Sequence, residues 1–145
     1  MSEHQAQIRW HKDGEFSHEG FNRKHQIAFE NNEAVTAGGA NNDFGTDPEQ
    51  LLAGALASCH MQTFLAVAAK KRLVVESYED VATATVQTRE DGKMWVAKIK
   101  LTPKATFAGE KIPDAETVRA MHEKAHAHCF VANSLSGEAL VSPRF

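Results

Sequence analysis

Asp47-Pro48-Glu49-Gln50-Leu51-Leu52-Ala53-Gly54-Ala55-Leu56-Ala57-Ser58-Cys59-His60-Met61, running on to about Lys71, is the stretch that decides the fold. Asp47 suits an N-cap, and Pro48 then falls at the first helical position, where a missing N–H costs nothing. Thr46 and Glu49 fit a capping box. Lys70, Lys71 and Arg72 suit the negative end of the helix dipole. A helix over 48–71 would be ~36 Å long at ~1.5 Å per residue. Its apolar residues, from Leu51 to Ala68, cover most of its circumference, which predicts a buried helix. Ala53, Gly54, Ala55, Ala57 and Ser58 would let another helix approach closely.

Around this helix the chain has 145 residues and a net charge of −3. That length is enough for one domain, residues 1–145, with a real core. No block of Lys or Arg points to nucleic acid, and no basic amphipathic stretch points to a membrane surface. The start, Met-Ser-Glu-His-Gln, lacks a signal-peptide pattern. Gln62, the flanking charges and the small residues make the helix weakly hydrophobic for a membrane span. The expectation is a cytoplasmic protein. Two cysteines, Cys59 and Cys129, do not make a disulfide scaffold. In a reducing compartment they are either buried structural thiols or a redox pair.

Upstream, residues 5–12 read as a strand, Asp13-Gly14 as a hairpin turn and Glu15 to Phe21 as the return strand. Residues 22–30 alternate as a third strand, Asn31-Asn32 turns the chain, and 33–36 form a fourth. A glycine-rich loop over 37–45 carries no phosphate-loop lysine. Downstream, 74–88 and 94–107 read as a long hairpin around Asp91-Gly92. Asp114 caps a second helix over 115–129, 130–135 add a helical turn, and 138–142 end the chain as a strand. The fold class is α+β. A hairpin layer and one amphipathic helix cover two sides of the central helix. The remaining side is expected to pack on a second copy, giving a homodimer.

Composition alone favours Cys59 as a buried, hydrophobe-like thiol. Reactivity would require a thiolate, which burial opposes. The helix dipole fades within the first turn, well short of Cys59. Its helical neighbours Ala55, Leu56, Gln62 and Thr63 are not cationic. A reactive Cys59 therefore needs a cation from elsewhere, with Arg9, Arg23, Lys24 and His25 as candidates. Glu49 is explained as a helix-start carboxylate, and lies ~15 Å from Cys59 along a straight helix. If it serves the Cys59 site, the helix must bend or Glu49 must come from a partner chain. The segment His122-Glu123-Lys124-Ala125-His126 matches the zincin motif, and His122, His126 and Cys129 share a helical face. The extended motif would need Gly at 129 and His at 132, where Cys129 and Ala132 stand, so a solvated helix face is the better reading.

The helix segment Asp47 to Cys59, followed by Ala127-His128-Cys129-Phe130-Val131-Ala132-Asn133-Ser134, resembles the OsmC/Ohr family of osmotically inducible and organic-hydroperoxide-resistance proteins. Ser58-Cys59-His60-Met61 is similar to a less characterised branch. The resemblance implies an intertwined α+β homodimer around a long buried helix. It implies a cysteine-based, peroxiredoxin-like peroxidase that reduces organic hydroperoxides in oxidative-stress defence. Cys59 matches its peroxidatic cysteine, Cys129 its resolving cysteine, Glu49 the helix-start glutamate and Arg23 the arginine that pairs with the thiol. Glu49 would hold the Arg23 guanidinium in a planar, bidentate geometry. The implied reductant is an external dithiol, typically on a lipoylated protein, and no metal or organic cofactor is needed. Trp10, Phe21 or Phe44 would wall an apolar substrate site. Two other readings make different demands. A zinc hydrolase would use His122, Glu123 and His126, and a non-enzymatic dimeric binding module would keep both cysteines as core filling.

Overall fold

Helix α1 spans Pro48–Lys70 and carries the cap that its sequence predicts. Asp47 Oδ1 accepts the Gln50 N–H at 2.8 Å, and Gln50 Oε1 accepts the Asp47 N–H at 3.2 Å. The capping box is therefore Asp47/Gln50, one residue later than the predicted Thr46/Glu49 pair, which leaves Glu49 free of a capping role. At the other end Arg72 takes φ +59°, and the Leu73 N–H bonds the Ala68 carbonyl at 3.0 Å. This left-handed closure stops the helix and turns Leu73 into the core.

The computed structural model describes all 145 residues, which form two compact units, Met1–Leu51 and Leu52–Phe145. In the first, β1 (Ala6–Arg9), β2 (His25–Phe29) and β3 (Ala34–Ala37) make an antiparallel meander, with Ile8 opposite Ile27 and Ile27 opposite Val35. The predicted return strand over 15–21 does not form. Ser17 draws that segment into a turn, accepting the Gly20 N–H on its hydroxyl at 3.0 Å and the Phe21 N–H on its carbonyl at 3.1 Å. β2 takes its place beside β1.

In the second unit the predicted long hairpin is cut in two. β4 (Val74–Glu79) pairs with β7 (Lys104–Ala108), while β5 (Thr83–Thr88) pairs with β6 (Met94–Leu101) in a separate sheet. Both breaks have identifiable causes. Pro103 has no N–H for a ladder, and Asp80 Oδ1 accepts the Thr102 N–H at 2.7 Å. β8 (Glu138–Val141) runs parallel to β6. Gly137 just before it lies so close to the Val96 and Ala97 carbonyls that any side chain would collide. Helix α2 (Ala115–His128) starts at Asp114, whose Oδ1 accepts the Thr117 N–H at 2.8 Å. A short 3-10 turn follows at Ala132–Ser134.

Two apolar clusters hold this unit. Phe64, Val67 and Ala68 of α1 pack on Val118, Met121 and Ala125 of α2, with Tyr78 and Phe107 beneath. Ala53 and Leu56 pack on Ile99, Leu101 and Cys129. Each large apolar side chain so buried contributes about 1.5–3 kcal/mol. Only one face of α1 is buried within the chain, along Ala53, Leu56, His60, Phe64, Val67 and Ala68. Gly54, Ala55, Ser58, Gln62, Ala66 and Ala69 on the other side are exposed, so the expectation of a helix buried on every side does not hold for one chain. By length and mean hydropathy (1.5) α1 does qualify as a membrane span, more apolar than its small residues suggest, but its buried stripe belongs to the core of a folded domain.

Candidate functional site: a thiol pair and an aromatic cavity

Cys59 sits at the start of the fourth turn of α1, half-buried, and Cys129 is the fully buried C-cap of α2. The two free thiols pack in the same cluster, side by side. Beyond Cys129 the chain folds tightly back. The Asn133 N–H bonds the Cys129 carbonyl at 3.0 Å, the Ala132 N–H reaches the Cys129 sulfur at 3.4 Å, and the Ser134 hydroxyl donates to the Phe130 carbonyl at 2.8 Å. This closure brings the Phe130 and Val131 backbone beside Cys59.

Those donors separate the two thiols chemically. Burial raises the Cys59 pKa, but the Cys129 S–H and the backbone N–H groups of Val131 and Phe130 outweigh it, and the net shift is downward. Thr63 also lies in reach, but its hydroxyl donates to the Cys59 carbonyl at 2.9 Å, so the Cys129 S–H and, after it, the Val131 and Phe130 amides carry the effect. For Cys129, burial and then the neighbouring Cys59 push the pKa up, against the partial relief of the Ala132 and Val131 N–H groups. Cys59 is thus the better nucleophile and Cys129 the proton donor beside it. The sequence alone looks to a cation to support a thiolate here; within the chain the groups that lower the Cys59 pKa are the Cys129 S–H and two backbone amides. Their sequence signal is the 3-10 turn after Cys129, read as a helical turn but not as an N–H cradle.

Arg23 and Glu49 line one cavity in the first unit, of about 650 Å³, with Ile8, Trp10, Phe16, Phe21, His25, Gly38, Gly39, Ala40 and Pro48. The Trp10 indole N–H donates to the Asn22 carbonyl at 2.6 Å, which fixes the ring. Trp10, Phe16 and Phe21 pack in series with centroids 5.8 and 6.0 Å apart. The Arg23 guanidinium lies over Phe21 at 4.2 Å. Arg23 and Glu49 share the lining but form no ion pair, so the bidentate contact expected between them is not made here. The chain's one ion pair is Arg89–Asp91. Gly39 leaves room for the Arg23 stem, since a Cβ there would press on Arg23 Cδ at 3.2 Å. His25 Nδ1 bonds the Arg23 carbonyl at 2.8 Å. A carbonyl only accepts, so Nδ1 carries the hydrogen. Of the expected walls, Trp10 and Phe21 line the cavity. Phe44 does not: it packs on Gly38 under the Lys24 ammonium. Phe16 and His25 belong to the lining, and the sequence did not single out either as a wall.

The zincin-like segment is not a metal centre. His122 is 3% exposed, stacks on Phe64 at 4.2 Å and bonds His60 through Nδ1 at 2.9 Å. No three His, Cys, Asp or Glu side chains gather in ligating geometry, so His122, His126 and Cys129 do not form the three-ligand set that their spacing allowed. His122 is a core residue, and the solvated-face reading also fails for it.

Residues 38–143 match the family model described as OsmC-like protein. An OsmC-like protein of unknown function from Vibrio cholerae O1 biovar eltor is 33% identical, with 99% of this chain and 100% of that chain covered and a TM-score of 0.93. The organic hydroperoxide resistance protein OhrB of Bacillus subtilis superposes with a TM-score of 0.74 at 17% identity, over 99% of this chain and 98% of that chain. An organic hydroperoxide resistance protein OsmC from Legionella pneumophila gives 0.70 at 16% identity, over 99% and 96%. Comparison with curated proteins returned no match.

Proposed function

The chain belongs to the OsmC-like family, and from that premise we propose that it is a thiol-dependent peroxidase reducing organic hydroperoxides to alcohols in oxidative-stress defence. The observation that carries this reading is that the fold packs two free thiols, 70 positions apart, side by side, Cys59 half-buried and Cys129 fully buried; the Cys59 pKa is lowered and that of Cys129 raised in keeping with it. Two relatives bearing the name of organic hydroperoxide resistance proteins support it at the level of the fold.

The steps follow from the chemistry of these groups. A hydroperoxide has one O–H donor and two acceptor oxygens. Along one straight helix Glu49 lies ~15 Å from Cys59, so Arg23 and Glu49 are taken from a second copy: that copy's Glu49 accepts the O–H and its Arg23 donates to an oxygen, while the aromatic lining holds the organic body. The Cys59 thiolate attacks the terminal oxygen and the O–O bond breaks. Cys59 becomes a sulfenic acid, and the leaving alkoxide takes a proton to become the alcohol. The Cys129 thiol then attacks the Cys59 sulfur, expelling water and forming the Cys59–Cys129 disulfide. An external dithiol, such as that of a lipoylated protein, returns the pair to thiols as it is itself oxidised.

We also propose that the exposed small-residue side of α1 packs on a second copy in a cytoplasmic homodimer. Sedimentation at micromolar concentration tests this: the expected mass is twice that of the chain, and a monomer mass rules it out. For the peroxidase, cumene hydroperoxide consumption with excess dithiol is the assay. Wild type turns over and Cys59→Ser does not. Turnover by Cys59→Ser at the wild-type rate would refute the reading.

A further inference from the structure

We propose that the buried His60–His122 hydrogen bond is a positioning device for the cysteine couple: it ties α2, and with it Cys129 at its C-cap, to the segment of α1 that carries Cys59. The two rings are 1% and 3% exposed and come from positions 62 residues apart. The bond joins two fully buried side chains. The rings are coplanar within 3°, and His122 stacks on Phe64, so both rotamers are fixed. His60 follows Cys59 directly. His122 precedes Cys129 by two helical turns on nearly the same face, since seven residues bring the helix back to within about 20°. The pair lies where the two apolar clusters meet, between Phe64 and Leu56 on α1.

Stability alone does not account for it. His60 Nδ1 and His122 Nε2 are buried without partners, and each such atom costs about 1–3 kcal/mol. A pair of apolar side chains would avoid that cost but would not fix a direction. Greasy packing of α1 on α2 tolerates slippage, whereas a hydrogen bond of 2.9 Å does not.

The bond is also sensitive to protons in a defined way. Two neutral rings share one N–H. A first proton leaves one ring donating and the other accepting, and the bond persists. A second proton sets two N–H groups face to face, and the bond is lost. The groups around the pair make that second proton costly. His126 on α2 acts on His60 as a like charge, and Arg119, Glu123 and His126 line a cavity of about 250 Å³ with His122. From β4, Tyr78 lies 6.4 Å from His122, with Asp80 beyond it.

The test is the thiol–disulfide equilibrium of the full chain with glutathione, in which one oxidised glutathione converts the Cys59 and Cys129 thiols to their disulfide and leaves as two reduced glutathiones. No peroxide is used, so the result is independent of the peroxidase reading. His122→Phe keeps the ring and removes the bond. It is expected to shift the equilibrium constant at pH 7 by about tenfold against the disulfide, the equivalent of one lost hydrogen bond. His60→Gln/His122→Asn places amide groups where the bonded nitrogens were and is expected to stay within about twofold of wild type at pH 7. The ratio of the wild-type constant to that of this double variant is expected to hold from pH 6 to 5 and to fall as pH drops through 4, where the second proton binds, because only wild type can lose its bond to protons. A folded His122→Phe protein with an unchanged constant overturns the proposal. So does a pH-independent ratio, a readout that remains should His122→Phe fail to fold.

Discussion

Acidification from pH 7 to pH 5 is expected to weaken the fold through two rings. Burial, and then the like charge of His126, lowers the His60 pKa from 6.5 to about 4. Burial, and then His60, lowers that of His122 to about 4. Both folded pKa values lie below the unfolded value, so the unfolded chain binds protons first. The stability these rings allow is present above pH 6.5 and is lost as pH falls toward 4. At pH 5 each ring costs about 2 kcal/mol relative to pH 7, and the pair about 4, at about 1.4 kcal/mol per pKa unit. That is a large part of the total stability of an ordinary domain. Urea unfolding followed by circular dichroism, at fixed protein concentration, measures it at pH 7, 6 and 5. Wild type is expected to lose about 4 kcal/mol more than His60→Gln/His122→Asn over this range. Equal losses in the two proteins would refute the reasoning, since every other titrating group is common to both.

Three further outcomes are expected. Cys129→Ser removes the resolving thiol, so one equivalent of hydroperoxide is expected to leave a long-lived sulfenic acid at Cys59 that dimedone traps; a proportion of dimedone adduct no higher than in wild type would argue against the pairing of roles. Arg23→Met is expected to lower kcat/KM for cumene hydroperoxide by about 30-fold or more, the loss of a charged hydrogen bond worth about 2 kcal/mol, and unchanged kinetics would remove Arg23 from the site. Tyr78 is the chain's only tyrosine, and burial and then Asp80 push its pKa far up, so the native protein is expected to show no phenolate absorbance near pH 10, where an unfolded tyrosine is half-ionised; half-ionisation there in folded protein would contradict its burial.

Where a residue's role is local, the sequence declares it. Pro48 at the helix start, Asp114 as a cap, Asp91-Gly92 as a turn and the 3-10 turn after Cys129 all follow from backbone chemistry within a few positions. Roles settled by distant partners were not legible. The alternating residues 74–88 are equally compatible with one long strand or two, and Asp80 reaching Thr102 decides for two. Asp13-Gly14 promised a hairpin, but β1 finds β2 because Ser17 draws the intervening chain into a turn. The spacing of His122 and His126 fits a metal motif, yet His122 turns to His60, a partner 62 positions away that no pattern on α2 reveals. For the candidate site, residue type alone left Cys59 and Glu49 with structural readings and Arg23 as one of four cations; the family resemblance singled out Cys59, Cys129, Arg23 and Glu49. The amides of Phe130 and Val131 could not be picked out, because every residue carries an N–H and only the fold aims it.

The most direct test treats reduced protein with one equivalent of cumene hydroperoxide and reads the intact mass, followed by peptide mapping. The expected result is rapid loss of two hydrogens with a Cys59–Cys129 link. An unchanged mass with both thiols free would contradict the peroxidase account, leaving the fold and its buried thiol pair without that chemistry.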